Sequence, residues 1–149
     1  MPFEAFLRIG DLEGESKAAD QAGAVDVVSW HWGASRPPDS GSPIVHDFSF
    51  VKGTDATSPA LFRLCCSGER VDTAVLLARR PGRDGGDFLR YTFADVTVVS
   101  VRTGGSAEAR DDVPLEEVTL AFGQVTIEVL RPGAEPRRAG WDLGGGKPL

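Results

Sequence analysis

Short runs of alternating apolar and polar residues constrain the fold of this chain more than any other feature of its sequence. In residues 3–9 every second side chain is apolar, and residues 25–32 and 44–52 show a similar two-residue period. Such alternation turns one face of an extended strand toward a core. Turn-forming residues separate the runs, since the 149 residues include 18 Gly and 10 Pro. The pattern therefore predicts an all-β fold built from many short strands.

One segment interrupts the strand pattern with helical signals. Thr57 or Ser58 suits the N-cap, Pro59 fits the first helical position, where its missing N–H costs nothing, and Gly68 follows the end. We predict one short helix there and about seven strands in all. Several apolar strands need their edges closed or covered, which suggests a β-barrel or a β-sandwich. The clearest strands are predicted over residues 3–9, 25–32, 44–52, 71–80, 87–102 and 115–130.

Two predictions concern the last third of the chain. Within residues 115–130 the apolar positions change parity across Gly123, and we predict a β-bulge at that glycine. Residues 132–149 are rich in Gly, Pro and charge, so we predict a loosely held C-terminal tail with Trp141 as its one candidate anchor.

Length and charge narrow the classes of function. A chain of 149 residues has the size of one domain, which we assign to residues 1–149. Its 22 acidic and 16 basic residues give a net charge of -6, whereas nucleic-acid binding needs a basic footprint. No apolar run approaches the roughly 20 residues of a membrane span, and the N-terminus lacks the apolar run of a signal peptide. We expect synthesis in the cytoplasm, with no nucleic-acid partner and no membrane insertion.

Candidate catalytic residues do not form a convincing constellation. His31 and His46 have no partner at the spacing of metal ligands, so we predict no metal and no cofactor. His46, Asp47 and Ser49 are the residue types of a hydrolase triad, but adjacent residues of a strand point to opposite faces. The neighbouring cysteines, Cys65 and Cys66, cannot staple distant parts of the chain. We therefore predict that the protein is not an enzyme.

Several segments, taken in order, resemble the haemolysin-coregulated protein (Hcp) family, which forms the tube of type VI secretion systems. Each segment is weakly specific alone, but their order covers almost the whole chain. The matching segments are FLRIGDLEGES (6–16), DVVSWHWG (26–33), DFSFVK (47–52), TSPAL (57–61), VVSVRTGGS (98–106), VTLAF (118–122) and GWD (140–142).

The resemblance implies a β-barrel of antiparallel strands with one short α-helix. It also implies a homohexameric ring that stacks into an inner tube and carries or chaperones effectors in its lumen. The implied partners are other copies of the chain, secreted effector proteins, and the spike and sheath of the secretion apparatus. The implied route is from the cytoplasm to the outside without a signal peptide.

The resemblance assigns a stacking role to the loop of residues 33–43, which corresponds to the family's extended loop toward the neighbouring ring. In this chain the loop is short and rich in proline. The residues expected to act in stacking are Arg36, Pro37, Pro38, Asp39 and Ser40.

The resemblance also points to His31 and Ser29 as residues facing the lumen and its cargo. Alternation places both on the face opposite Trp30 and Trp32, which are predicted to face the core together with Val28. Where the family usually has a small residue between the tryptophans, this chain has His31. Because imidazole changes charge near neutral pH, we hypothesise a pH-sensitive contact with cargo.

Two other readings stay open from the sequence. One is a tail-tube protein of a phage-like contractile injection particle, and the other is a monomeric β-barrel that binds a small ligand in an apolar cavity. Charge leaves a further choice. Repulsion between acidic subunits predicts that salt favours assembly, whereas ion pairs at arginines predict that salt dissociates it.

Overall fold

The computed structural model describes residues 3–39, 41–81, 86–108 and 112–149. These residues form twelve strands and one helix. The elements in chain order are β1 (Glu4–Ile9), β2 (Val25–Asp26), β3 (Ser29–His31), β4 (Ala34–Ser35), β5 (Ile44–Val45), β6 (Phe48–Gly53), α1 (Ser58–Ser67), β7 (Arg70–Arg79), β8 (Asp87–Gly104), β9 (Leu115–Ala121), β10 (Gln124–Val129), β11 (Arg137–Asp142) and β12 (Lys147–Pro148).

Strand β8, which is 18 residues long, joins the two halves of the main sheet. Its first half lies between β7 and β10, and its second half pairs with β9. From β7 the sheet continues through β1 to β2, from β10 through β11 to β12, and from β9 through β6 to β3. Every pairing is antiparallel, so the all-β prediction with one short helix is confirmed.

The segment between β1 and β6 brings the far edges of the two halves together. Strand β2 pairs with β1 and strand β3 with β6. Between them the Val27 N–H donates to the Ala5 carbonyl at 3.0 Å and the Val28 N–H donates to the Val51 carbonyl at 2.8 Å. Among the described strands, the ladders therefore do not close into an uninterrupted barrel, because two single hydrogen bonds replace a ladder at this seam.

The same seam corrects the prediction of one strand over residues 25–32. The chain changes partner within it, so the strict alternation fails at Val28, which is 65% exposed although it was predicted to face the core. Trp30 and Trp32 are partly buried against the core, as predicted.

Aromatic rings fill the centre between the two halves. The Phe93 ring lies 4.7 Å from the Phe48 ring and 4.7 Å from the Phe122 ring, between centroids. Trp32 packs edge-on against Phe93 at 5.6 Å and against Tyr91 at 5.2 Å. Such pairs add to the stabilisation that burial alone provides.

The predicted β-bulge at Gly123 is wrong. Ala94 pairs with Gln124 and Thr97 pairs with Ala121, so the register is unchanged across the glycine. The register shifts instead between Val98 and Ser100. The apolar parity changes because both strands break together, with Asp95 at φ +55° opposite Gly123.

Residues 132–149 also differ from the loosely held tail that their composition suggested. Strand β11 pairs with β10 from Arg137 opposite Val129 to Asp142 opposite Gln124, and β12 pairs with β11. Trp141 packs against the core. Backbone pairing and this one anchor hold a segment whose other side chains are mostly small or charged.

Helix α1 has the predicted limits. Thr57 is its N-cap, Pro59 lies in its first turn, and Gly68 ends it at φ +71°, with its N–H donating to the Leu64 carbonyl. A left-handed residue at this position favours glycine. Leu61 and Leu64 are buried in the core.

A buried ion pair ties the helix entrance to the sheet. Lys52 is 0% exposed, and its Nζ lies 2.6 Å from Glu116 Oε1 and 3.0 Å from Asp55 Oδ1. Lys52 Nζ also donates to Ser58 Oγ at 3.1 Å, and that hydroxyl donates to Glu116 Oε1 at 2.7 Å. The network therefore joins β6, β9 and the start of α1.

We expect Lys52→Met to lower the free energy of unfolding by about 3–5 kcal/mol, because it leaves two carboxylates with no buried cation. The double variant Lys52→Met/Glu116→Leu should recover part of this loss. Urea unfolding followed by circular dichroism measures both. The exposed Lys17→Met is the control and should change stability by about 0.5 kcal/mol or less. A loss at Lys52 no larger than that of the control would contradict the assignment.

Candidate functional site

A four-strand surface of small polar side chains is the main candidate site, and we call it the polar face. The antiparallel registers place His31 opposite Ser49, Ser49 opposite Thr119, and Thr119 opposite Ser100. Directly paired residues of neighbouring strands share one face of a sheet. These four side chains therefore form one row across β3, β6, β9 and β8.

A second row runs beside the first on the polar face. Ser29 lies opposite Val51, Val51 opposite Glu117, and Glu117 opposite Arg102. Glu117 and Arg102 place opposite charges on adjacent strands. The face is thus rich in hydroxyls, with its two charges at the β9–β8 side.

The other side of the same strands explains why this face is polar. Phe48, Phe50, Val118 and Leu120 alternate with the polar row and are buried at 0% exposure. On the polar face the Ser49 and Thr119 hydroxyls share a hydrogen bond of 2.8 Å. Ser49 is buried at 7% exposure, so this row is accessible mainly at its other side chains.

His31 and Ser29 lie on the polar face and both are exposed. Five further residues of the face were not assigned to it from the sequence, because their proximity depends on the pairing of distant strands. Alternation around Val118 and Leu120 was the one local signal for two of them. The five are Ser49, Ser100, Arg102, Glu117 and Thr119.

The loop of residues 33–43 projects from a small hairpin of its own. Ala34 pairs with Val45 and Ser35 with Ile44, in a two-stranded sheet separate from the main one. The His46 N–H donates to the Gly33 carbonyl at 2.8 Å and closes the base.

At the tip of this hairpin, Arg36 donates from Nη2 to the Gly41 carbonyl at 3.1 Å. Arg36, Pro38 and Asp39 are exposed, and Pro37 is partly buried. The predicted stacking residue Ser40 lies outside the described residues.

An apolar groove of about 310 Å³ lies between this hairpin and the edge of the main sheet. Trp32 and Val45 line one side, and Val125, Ile127 and Trp141 line the other. The groove places the base of the hairpin against β10 and β11.

The residue types of a hydrolase triad are not assembled. His46 Nε2 lies 3.4 Å from the Ser35 hydroxyl, whereas the Ser49 hydroxyl bonds to Thr119. Cys65 packs against the core and Cys66 is exposed, and both are free thiols. Within the described ranges, no group of three or more His, Cys, Asp or Glu is placed to hold a metal ion.

Comparison with known proteins decides the family. The model of the family described as "Type VI secretion system effector, Hcp" matches residues 6–129. The chain belongs to the Hcp family of type VI secretion. It is 34% identical to protein hcp1 of Pseudomonas aeruginosa over 158 aligned positions, which cover 96% of each chain.

Solved Hcp structures agree with the fold of this Hcp-family chain. The crystal structure of Hcp1 from Salmonella typhimurium has a TM-score of 0.87 and 31% identity, covering 100% of both chains. That of Hcp2 from the same organism has a TM-score of 0.77 and 30% identity, covering 97% of this chain and 98% of that one. In the part of the chain that the structure describes, no helix is long and apolar enough to cross a membrane.

Proposed function

We propose that the protein is the tube subunit of a type VI secretion system and does no chemistry of its own. Six copies form a ring, rings stack into the inner tube, and the polar face lines the lumen and holds effectors. The observation that carries this proposal is the polar face itself. It is a flat, hydroxyl-rich surface across four strands of a chain that belongs to the Hcp family.

A flat polar face suits cargo that varies in sequence. Hydroxyl groups both donate and accept hydrogen bonds, so the hydroxyls of Ser29, Ser100 and Thr119 can match many partner surfaces. Among the described residues, the surface grooves of about 310 to 560 Å³ are lined by residues outside this face. It therefore favours weak, adaptable contacts over one specific ligand.

A ring of identical copies needs two different complementary surfaces on each copy. Large apolar side chains are exposed on separate elements, including Phe62 of α1 at 63% and Val28 of the seam at 65%. Exposed apolar groups of this size support burial against neighbouring copies. The resemblance assigns contact with the adjacent ring to the hairpin that carries Arg36.

The proposed route follows from the same family role. The chain is made in the cytoplasm and leaves the cell inside the contracting apparatus, not by export that a signal peptide directs. Its proposed partners are other copies of itself, effector proteins, and the spike and sheath.

We expect a solution mass of roughly 95 kDa, six times the 15.9 kDa of one chain, because a closed ring has a fixed copy number. Light scattering after size exclusion, at several protein concentrations, measures it. Larger masses that are whole multiples of this value would report stacked rings.

A single-chain mass at every concentration would contradict the tube-subunit proposal. That outcome would favour the monomeric ligand-binding barrel, because the shared fold would then carry no shared assembly. A ring with a different number of copies would contradict the hexamer but would still support assembly into a ring.

We expect His31→Ser to abolish the pH dependence of effector retention, because imidazole is the side chain whose charge changes near neutral pH whereas a hydroxyl stays uncharged. Glu117 and Arg102 are the charged residues paired on the same face. Co-purification of effector with rings at two pH values, one below and one above neutral, measures retention.

The matched control is His46→Ser, at the base of the hairpin and away from the polar face. It should keep the pH dependence of the parent protein. Retention that is the same in His31→Ser and in the parent protein at both pH values would refute the role of His31.

A further inference from the structure

Asp95 occupies a costly position in the centre of the sheet. It is an exposed residue at φ +55°, a region that few residues other than glycine adopt. Its neighbours Ala94 and Val96 pair with Thr73 and Val71, so Asp95 lies opposite Asp72 on β7.

No partner inside the protein offsets this cost. Among the described residues, no cation lies within 4.0 Å of either Asp72 or Asp95, and both are exposed. The left-handed backbone at Asp95 belongs to the break that β8 shares with Gly123, but that break does not require an acidic side chain. The two carboxylates are thus directed at solvent or at a partner.

Asp72 also lines a surface groove of about 560 Å³ at this end of β7. Asp11 and Glu69 line it as well, together with Arg63 and Arg70. We call this region, with Asp95, the acidic end, since four carboxylates there face two arginines.

The end of β7 and the start of β8, with the adjacent ends of β10 and β11, carry an excess of positive charge. We call this region the arginine end. Six arginines lie there with four acidic residues, although the chain as a whole is acidic. The arginines are Arg79, Arg80, Arg90, Arg131, Arg137 and Arg138, and the acidic residues are Glu4, Asp87, Glu128 and Glu135.

Half of these arginines are already paired. Arg79 lies 3.1 Å from Glu4. Arg138 and Arg90 lie 3.0 Å and 3.7 Å from the buried Glu128. Arg80, Arg131 and Arg137 have no carboxylate within 4.0 Å among the described residues.

Two of the unpaired arginines flank one groove. Arg80 and Arg131 line a groove of about 400 Å³ between the end of β7 and the end of β10, together with Phe88 and one carboxylate, Asp87. Arg131 also donates from Nη2 to the Glu135 carbonyl at 3.1 Å. The Arg80 guanidinium lies 5.0 Å from the centre of the Phe88 ring. A guanidinium presents a planar fork of donors that matches a carboxylate, so the groove suits an incoming acidic side chain.

We propose that the arginine end of one copy binds the acidic end of a second copy, with Arg80 and Arg131 facing Asp72 and Asp95. The proposal rests on the proposed tube function and names the groups that join successive copies along the tube. Asp72 and Arg79 are seven residues apart on one strand, or roughly 23 Å at the rise of an extended chain, so the two ends cannot meet within one copy.

A second copy fits these ends better than an unrelated acidic partner does. Three unpaired arginines at one end correspond to a carboxylate excess at the other end of the same strands. Because the two surfaces differ and lie at opposite ends, their contact is heterologous and repeats head to tail from one copy to the next. The contact should also weaken with salt, so the proposal predicts that salt dissociates the assembly, which is the ion-pair alternative left open by the sequence.

The test is a charge swap in the full chain. One variant carries Arg80→Glu and Arg131→Glu, and the other carries Asp72→Arg and Asp95→Asn, since Asn tolerates the left-handed backbone that Asp95 adopts. Light scattering at low salt and at about 1 M salt, where the Debye length is about 3 Å, measures the mass of each assembly.

We expect the parent protein to form multiples of one ring at low salt and to fall to single rings at about 1 M salt. Each variant alone should remain as single rings at low salt. An equimolar mixture of the two should restore the multiples, because alternation of the two variants places the introduced glutamates opposite the introduced arginine, and the native arginines opposite the native aspartates. Glu108→Arg, an exposed reversal on the loop after β8, is the control and should behave as the parent protein does.

Three results would overturn the pairing. They are multiples that persist in both variants, a mixture that stays as single rings, and parent rings that never exceed one ring at low salt and high concentration. A further result would overturn the pairing: an acidic effector binds the parent protein but not the Arg80→Glu/Arg131→Glu variant, while that variant still forms multiples. The effector would then be the occupant of the arginine end in place of a second copy. By contrast, a parent protein that is monomeric throughout would refute the tube function itself.

Discussion

The shared kink of strand β8 is the constraint on which the rest of the structure depends. At Asp95 the buried apolar side chains of β8 change from one alternate set of positions to the other. The paired chain makes the same change at Gly123, between β9 and β10, so the pairing register is unchanged. A Cβ on Gly123 would lie 3.0 Å from the Asp95 Cβ, which explains the glycine at that point. Because both strands turn together, one continuous strand serves two differently oriented halves of the sheet. The aromatic cluster around Phe93 then lies between those halves rather than on one side of a flat sheet.

Local pattern predicted a large part of this fold, and its failures share one cause. The period of residues 3–9 and the caps of helix α1 are local signals, and both elements were found where they were expected. Val28, Gly123 and residues 132–149 were misjudged because each depends on a distant strand. The exposure of Val28 reflects a change of partner from β1 to β6, and β11 is held by β10 rather than by its own composition.

The candidate site divides in the same way. His31 and Ser29 could be placed on one face from alternation alone, since both belong to a single strand. Ser49, Thr119 and Ser100 join them through pairings between residues that are far apart in sequence. The buried Lys52 network was also invisible, because Lys52, Asp55 and Glu116 look like surface charges until β6 and β9 are paired. That network lies on the core side of the strands that carry the polar face. One side of the sheet therefore stabilises these strands, and the other side presents the polar residues.

Net charge and charge placement have opposite consequences for assembly. In the proposed ring, six acidic chains repel one another, and this repulsion extends over the whole assembly and fades beyond about 8 Å at physiological salt. In the proposed contact, the arginine end opposes it only where an arginine and a carboxylate meet, at about 3 Å, where a charge-assisted hydrogen bond is strongest. The count of 22 acidic and 16 basic residues therefore determines the sign of the long-range electrostatic interaction between copies. It does not determine the sign of the interaction at a contact. Only the antiparallel pairing, which gathers Arg80 and Arg131 at one end and Asp72 and Asp95 at the other, gives the acidic chain a polarity along its strands.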